Sequence, residues 1–199
     1  LMLVAMAQPG VALAVVLVGG VGAVIILAAV WIIGLIRYGR PLADLGLRLP
    51  DSVTPLYLFG LPLLTVGGSL LFAVLYTTLL SKVGPDKILP PDVTKEIALG
   101  GYSVVVTVWV VVLLGPLAEE IFFRGFVFSG LIQRLGVSRA LVASSLVFAL
   151  FHVDPRVMIP IFVTGLLLAW LYHKTGSLWG SFVAHAAQNA VALSAIFWT

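Results

Sequence analysis

Three ionisable side chains lie within the apolar segment LLGPLAEEIFFRGF. In lipid each would cost about 2.5 to 3.5 kcal/mol on translocon scales, so each needs a partner or a chemical role. Glu120 and Arg124 are four residues apart and share one helix face, whereas Glu119 is turned about 100° away from Glu120. This spacing predicts a structural ion pair between Glu120 and Arg124, and it leaves Glu119 without a local partner.

Two histidines and an asparagine add polar groups to later apolar segments. His152 ends the stretch LVFALFH, and His185 and Asn189 are four residues apart in VAHAAQNAV. Counted along straight helices from flanking basic residues, Glu119, His152 and His185 lie at depths of roughly 22, 20 and 16 Å. A buried imidazole bonded to a backbone carbonyl would explain either histidine alone. The shared depth of the whole set instead predicts one functional site.

Such a set could activate water for amide hydrolysis. A glutamate and a histidine can take a proton from water and orient it, while a second histidine and an amide can donate hydrogen bonds to the oxyanion of a tetrahedral intermediate. Ser144 and Ser145 lie in no nucleophile elbow and are interpreted as packing residues. The sequence has no cysteine, which excludes thiolate chemistry. Hydrolysis without a covalent enzyme intermediate is therefore predicted.

Three motifs resemble those of a known family. Residues 119–124 resemble the EExxxR motif of the CPBP family, the CAAX proteases and bacteriocin-processing enzymes that are also called Abi proteases. Residues 148–152 resemble its FxxxH motif, and residues 185–189 resemble its HxxxN motif. The resemblance implies a glutamate-type intramembrane endopeptidase related to the type II CAAX prenyl endopeptidases.

The resemblance also implies a role for each motif residue. Two residues would activate the water, namely Glu119 and His152. Two would form the oxyanion hole, namely His185 and Asn189. Three would support the site from beside it: Glu120, Arg124 and Phe148. The implied substrate is a peptide or a membrane protein, which could carry a lipid.

Three alternatives remain open at this point. Glu119, His152 and His185 could hold zinc, but the sequence has no HExxH motif and Arg124 would repel a cation, so no cofactor is predicted. Buried Glu and His could also serve a proton-coupled transporter, or the chain could be a non-enzymatic scaffold that confers immunity. The lack of an inverted repeat argues against transport.

The composition indicates that the elements which position these residues belong to a membrane protein. Hydrophobic residues make up 61% and charged residues 10% of the 199 residues, against about 45 to 50% and about 25% in soluble domains. This excludes a soluble domain, a disordered chain and a nucleic-acid-binding fold, although the net charge is +3. We expect a multi-pass protein of a prokaryotic plasma membrane whose partners are lipid and a peptide substrate, with no nucleic acid.

The predicted fold is an all-α transmembrane bundle of about six spans. They are expected at residues 11–36, 55–80, 97–133, 140–151, 157–172 and 178–198. The third would be roughly 55 Å long if straight, so it must kink, and Gly115-Pro116 supplies the break by freeing the carbonyl of Val112. Residues 1–199 form one domain, in which residues 115–189 are the catalytic core and residues 1–96 complete the bundle.

Overall fold

The computed structural model describes residues 10–37, 39, 41–83 and 104–194. Within these residues the regular structure is entirely helical, which confirms the predicted all-α class. Two of the described helices are long and apolar enough to cross a membrane, Leu56–Lys82 and Pro155–Thr175, and Gly19–Gly34 is a shorter apolar helix. The count of about six spans stays a prediction.

The first two helices coincide with the first two predicted segments. Helix α1 is Gly10–Ala29 and continues as a π-helix over Val30–Arg37. A π-helical turn, Leu56–Gly60, leads into helix α2, Leu61–Val83. The long apolar side chains of α2 remain largely exposed, which rarely happens on the surface of a soluble monomer and suits contact with lipid.

The EExxxR motif lies on a long helix of mixed pitch, called the motif helix below. It consists of four consecutive stretches: α3 (Val104–Val108), a π-helix (Trp109–Leu114), α4 (Gly115–Glu120) and a second π-helix (Ile121–Phe128). The kink predicted at Gly115-Pro116 is not confirmed, because Leu114 and Gly115 both keep right-handed helical angles. The proline instead lies beside a widened turn, where the Gly115 N–H donates to the carbonyl of Val110, five residues earlier.

The long helical run ends at a glycine. Helix α5, Ser129–Phe151, follows the motif helix directly but is interrupted at Gly136, whose φ of 72° and ψ of 170° are not helical. Glycine adopts such angles without the steric cost that a Cβ brings. The break lies three residues beyond the predicted end at residue 133, and residues 97–103 of that predicted segment lie outside the described residues.

Helix α6 carries recognisable signals at both ends. It spans Pro155–Thr175, the side chain of Asp154 accepts a hydrogen bond from the backbone N–H of Arg156, and Pro155 occupies the first turn. At the other end Gly176 takes a left-handed conformation with φ of 62°. Helix α7, Leu178–Ser194, follows at once. These two helices agree with the last two predicted segments, of which residues 195–198 lie outside the described residues.

The C-terminal helices pack around the motif helix. Helix α5 packs most extensively on α6, while α2 packs on both α6 and α7. Helix α7 also packs on α4, whose other side contacts α1. One buried cluster joins the motif helix with α5, α6 and the start of α7: Phe128, Ala140, Ala169, Tyr172 and Leu178. The polar motif residues are therefore held between several helices rather than on one surface.

The connection between α1 and α2 anchors one end of the bundle. The backbone N–H of Leu178 donates to the carbonyl of Gly46 at 2.8 Å. Leu45 approaches the motif helix so closely that a Cβ at Gly125 would lie 2.9 Å from the Leu45 carbonyl oxygen. A side chain at position 125 would therefore push this connection away from the motif helix.

The N-terminus of α6 offers a stability test at a helix cap, two residues after His152. The Arg156 guanidinium hydrogen bonds to Asp154, and this bond holds the pKa of that carboxyl below its ordinary value although burial opposes the shift. A lowered folded-state pKa means that the stabilisation is present at neutral pH and is lost as the pH falls through that pKa.

We expect Asp154→Ala to destabilise the fold by about 0.5 to 2 kcal/mol through loss of the cap. Asp154→Asn should cost less, because asparagine can still cap the helix. Thermal unfolding in detergent at pH 7 measures both variants, and equal losses would contradict the capping role.

Candidate active site

Glu120 and Arg124 form a buried ion pair inside the bundle. The Arg124 Nε lies 3.2 Å from Glu120 Oε2, and the two side chains are 2% and 0% exposed. The pair that helical spacing predicted is thus present. Since a charge buried without its partner is strongly unfavourable, these two residues constrain each other.

Glu120 has a second partner that the spacing did not predict. Its other oxygen, Oε1, lies 2.9 Å from His185 Nδ1 on α7. The opposite ring nitrogen of His185, Nε2, lies 3.8 Å from Glu119 Oε2. The imidazole therefore stands between the two glutamates and joins α7 to the motif helix. The sequence placed His185 near the depth of Glu119, but it could not tell which carboxylate the ring would contact.

His152 presents one defined nitrogen to the site. Its Nδ1 lies 2.9 Å from the carbonyl oxygen of Phe148, one turn earlier. Because a carbonyl only accepts hydrogen bonds, Nδ1 carries the hydrogen and Nε2 of the neutral ring keeps its lone pair. Glu119 and His185 both act electrostatically on His152. The residue after α5 thus contributes a hydrogen-bond acceptor within electrostatic range of Glu119.

Phe148 is the apolar centre of the site. Its ring centroid lies 4.9 Å from that of His152 and 5.9 Å from that of His185, both edge to face. The Arg124 guanidinium carbon lies 4.3 Å from the same centroid, a cation–π contact. The predicted packing of Phe148 beside His152 is observed. One aromatic ring therefore contacts side chains from all three motifs.

Asn189 is tied to the motif helix through a carbonyl. Its Nδ2 donates to the oxygen of Val111 at 2.9 Å. In the widened turn that pairs Gly115 with Val110, the next donor in register would be Pro116, which has no N–H. The carbonyl that lacks this donor is therefore that of Val111. In a regular α-helix it would have been the carbonyl of Val112. Asn189 supplies the missing hydrogen bond.

Two residues that shape the site gave no motif signal. A Cβ at Gly165 of α6 would lie 3.1 Å from Phe148 Cδ1 and 3.1 Å from Ser145 Cβ, so only glycine lets α6 approach this closely. Gln188, between His185 and Asn189 along α7, accepts from Ser69 at 3.0 Å and donates to Thr164 at 3.2 Å. This polar link joins α7 to α2 and α6. A lone glycine or glutamine in an apolar helix does not reveal such contacts.

Comparison with known families agrees with this geometry. Residues 101–191 match the family described as type II CAAX prenyl endopeptidase Rce1-like. The resemblance seen in the motifs is confirmed over these residues. They contain all three motifs.

Two bacterial relatives extend the comparison. The protein named Putative membrane peptidase YdiL of Bacillus subtilis is 31% identical over 77 residues, which are 39% of this chain and 32% of that protein. The UPF0177 protein YxdF of Lactococcus lactis is 25% identical over 123 residues, 61% of this chain and 68% of that protein. The match thus spans less than a third of the Bacillus relative. No solved structure matches the chain significantly.

The charge of Arg124 and the contacts of Glu120 bear on the zinc alternative. Both oxygens of Glu120 are engaged, one by Arg124 and one by His185, and the guanidinium would repel a cation. Within the residues that the structure describes, no three His, Asp or Glu side chains are arranged so that they could hold a metal ion. A reaction without a cofactor stays a prediction.

The close approach at Gly165 can be tested by adding one methyl group. Gly165→Ala forces Phe148 or the α5 backbone to shift, and overpacking of this kind costs about 1 to 3 kcal/mol. Gly130→Ala is the matched control, because a Cβ there meets nothing within 4 Å and alanine favours the helix. Thermal unfolding in detergent compares them. A Gly165→Ala protein as stable as the Gly130→Ala protein would contradict the close packing.

Proposed function

We propose that this chain is a membrane-embedded endopeptidase that uses a water molecule activated by Glu119 and His152. The observation that carries the proposal is the contrast between the two glutamates. Glu120 is fully buried and holds Arg124, whereas the Glu119 side chain is 15% exposed and lies 3.8 Å from His185 Nε2. A partly accessible carboxylate beside an imidazole is suited to general base catalysis. The Rce1-like match supports this activity.

Water activation follows from the orientation of His152. Glu119 removes one proton from the water, and His152 Nε2 accepts a hydrogen bond from the other hydrogen, since its Nδ1–H is directed to Phe148. The water oxygen attacks the carbonyl carbon, and the carbonyl π electrons move to the oxygen. When the tetrahedral intermediate collapses, the C–N bond breaks and the proton held by Glu119 passes to the leaving nitrogen.

His185 and Asn189 are proposed as the oxyanion donors. Asn189 keeps one amide hydrogen after donating the other to Val111. His185 directs Nδ1 to Glu120, so it donates from Nε2 only when both ring nitrogens carry hydrogen. The two donors lie one turn apart on α7, so they could contact the same developing negative charge.

The proposed substrate is a peptide or membrane protein reached from the lipid phase, and it could carry a lipid. The name of the Bacillus relative, a membrane peptidase, and the apolar exposed surface of α2 support a substrate of this kind. A multi-pass placement in a prokaryotic plasma membrane belongs to the same proposal, with lipid as the surrounding partner.

We expect Glu119→Gln to abolish cleavage while leaving the protein folded. Glutamine keeps the size of the side chain but cannot take the proton, so turnover should fall by about 10²- to 10⁴-fold. Purified protein in liposomes is assayed with a peptide library, and thermal unfolding monitors the fold. Asp51→Asn is the matched control, since it makes a carboxylate-to-amide change at an exposed side chain near the other end of α6. Unchanged turnover in the Glu119→Gln protein would remove Glu119 from the mechanism.

The same variant can identify the substrate. Membrane peptides from cells that carry wild-type or Glu119→Gln protein are compared by mass spectrometry. Fragments that occur only with the wild-type protein report its cleavage sites.

The three histidines of the chain allow a matched comparison of ring roles. His152→Gln and His185→Gln should each lower turnover at least about tenfold, because each removes a ring nitrogen that faces the reacting atoms. His173→Gln should leave turnover unchanged, since His173 is exposed near the end of α6. The assay is the liposome cleavage reaction, and loss of turnover in all three variants would indicate a general folding defect instead.

A further inference from the structure

The carboxylate of Glu120 divides its two oxygens between two different partners. Oε2 faces the Arg124 guanidinium at 3.2 Å, and Oε1 faces His185 Nδ1 at 2.9 Å. An ion pair alone would require only the first contact. The second contact reaches across to α7 and fixes one nitrogen of a ring whose other nitrogen faces Glu119.

The orientation of an imidazole matters for its chemistry. Its two nitrogens differ in role, and the partner of one nitrogen sets which tautomer the other presents. Because Arg124 keeps a positive charge beside Glu120, this carboxylate is suited to accept the hydrogen on Nδ1. A 180° turn of the His185 ring about its Cβ–Cγ bond would break this bond and move Nε2 away from Glu119. The ring also packs edge to face with Phe148, with the centroids 5.9 Å apart, and this contact fixes the plane of the ring but not which of its two nitrogens faces Glu120.

We propose that Glu120 is a positioning residue that holds the His185 ring through Nδ1–H and thereby directs Nε2 to the space beside Glu119. The inference rests on the proposed hydrolytic function, since the directed nitrogen is the proposed oxyanion donor. Arg124 acts one step further away, because it supplies the charge that lets a carboxylate remain buried at this place. Neither Glu120 nor Arg124 contacts the substrate in this scheme.

Two double variants separate positioning from charge balance. Glu120→Met/Arg124→Met removes both charges and every hydrogen-bond acceptor at position 120, and Glu120→Gln/Arg124→Met removes both charges but keeps an amide oxygen that can accept from Nδ1–H. Replacing both partners avoids the stranded charge that either single change would leave. Both proteins should therefore remain folded, as thermal unfolding would show.

We expect the methionine pair to lose at least about tenfold in kcat with little change in KM, since the affected contact is made in the transition state. The glutamine variant should recover a large part of that loss. If Glu120 serves only to balance the charge of Arg124, both double variants will turn over substrate at the wild-type rate, and that result would overturn the proposal.

Nitrogen NMR tests the same point without relying on turnover. The chain has three histidines, so ring labelling with ¹⁵N gives three pairs of signals. The His185 pair should indicate a single Nδ1–H tautomer or a doubly protonated ring in the wild type and in the glutamine variant, and tautomer exchange in the methionine variant. An unchanged His185 pattern in the methionine variant would contradict positioning. If the wild-type protein cleaves nothing, the proposed function fails while these spectra still decide the role of Glu120.

Discussion

The polar site depends on one fully buried carboxylate that forms an ion pair within its own helix and a hydrogen bond to a second helix. Glu120 has no exposed surface, and its oxygens contact Arg124 on its own helix and His185 on α7. In a low-dielectric interior these contacts are strong because water does not compete, and removing one partner leaves a charge or donor that costs about 3 to 5 kcal/mol. The rotation of α7 against the motif helix is therefore restricted, and Glu119 is directed to the other side of the imidazole.

Apolar packing fixes the remaining side-chain positions in the site. The Phe148 ring contacts Arg124, His152 and His185, so a shift of α5 would disturb groups from every motif. Gly165 allows α6 to press against that ring and thereby limits its movement. An aromatic ring between cationic and imidazole groups contributes attraction as well as shape. The phenylalanine of the second motif thus acts through contact rather than through chemistry of its own.

The sequence predicted the features that depend on residues within one or two helical turns of each other. The pairing of Glu120 with Arg124 follows from helical spacing, and the bounds of α6 follow from Asp154, Pro155 and Gly176, whose preferences concern a single turn. The three motifs predicted the family because their residues are few, specific and ordered along the chain. These parts of the fold and site need no knowledge of how helices rotate against one another.

Other features could not be predicted from neighbouring residues in the sequence. The contact of His185 with Glu120 depends on the azimuthal rotation of α7, which is set by packing with several helices at once. The long helix is interrupted at Gly136, whereas the kink predicted at Pro116 is not confirmed. Helix propensity alone does not tell which of two helix-breaking residues interrupts a helix, because the packing around each residue decides. The number of membrane spans depends on how the length of each helix compares with the thickness of the bilayer. The count of about six spans therefore remains an expectation from hydropathy.

The proline shows how an irregular helix can serve a site. A regular turn would have left the Val112 carbonyl without a donor, but the widened turn moves this gap to Val111. That carbonyl needs a hydrogen bond in an apolar bundle, and Asn189 provides it. The amide is consequently held by one of its own hydrogens, which fixes the direction of the other. The backbone defect that an apolar surrounding makes costly thus anchors the Asn189 side chain, and a helix without Pro116 would give Asn189 no comparable anchor.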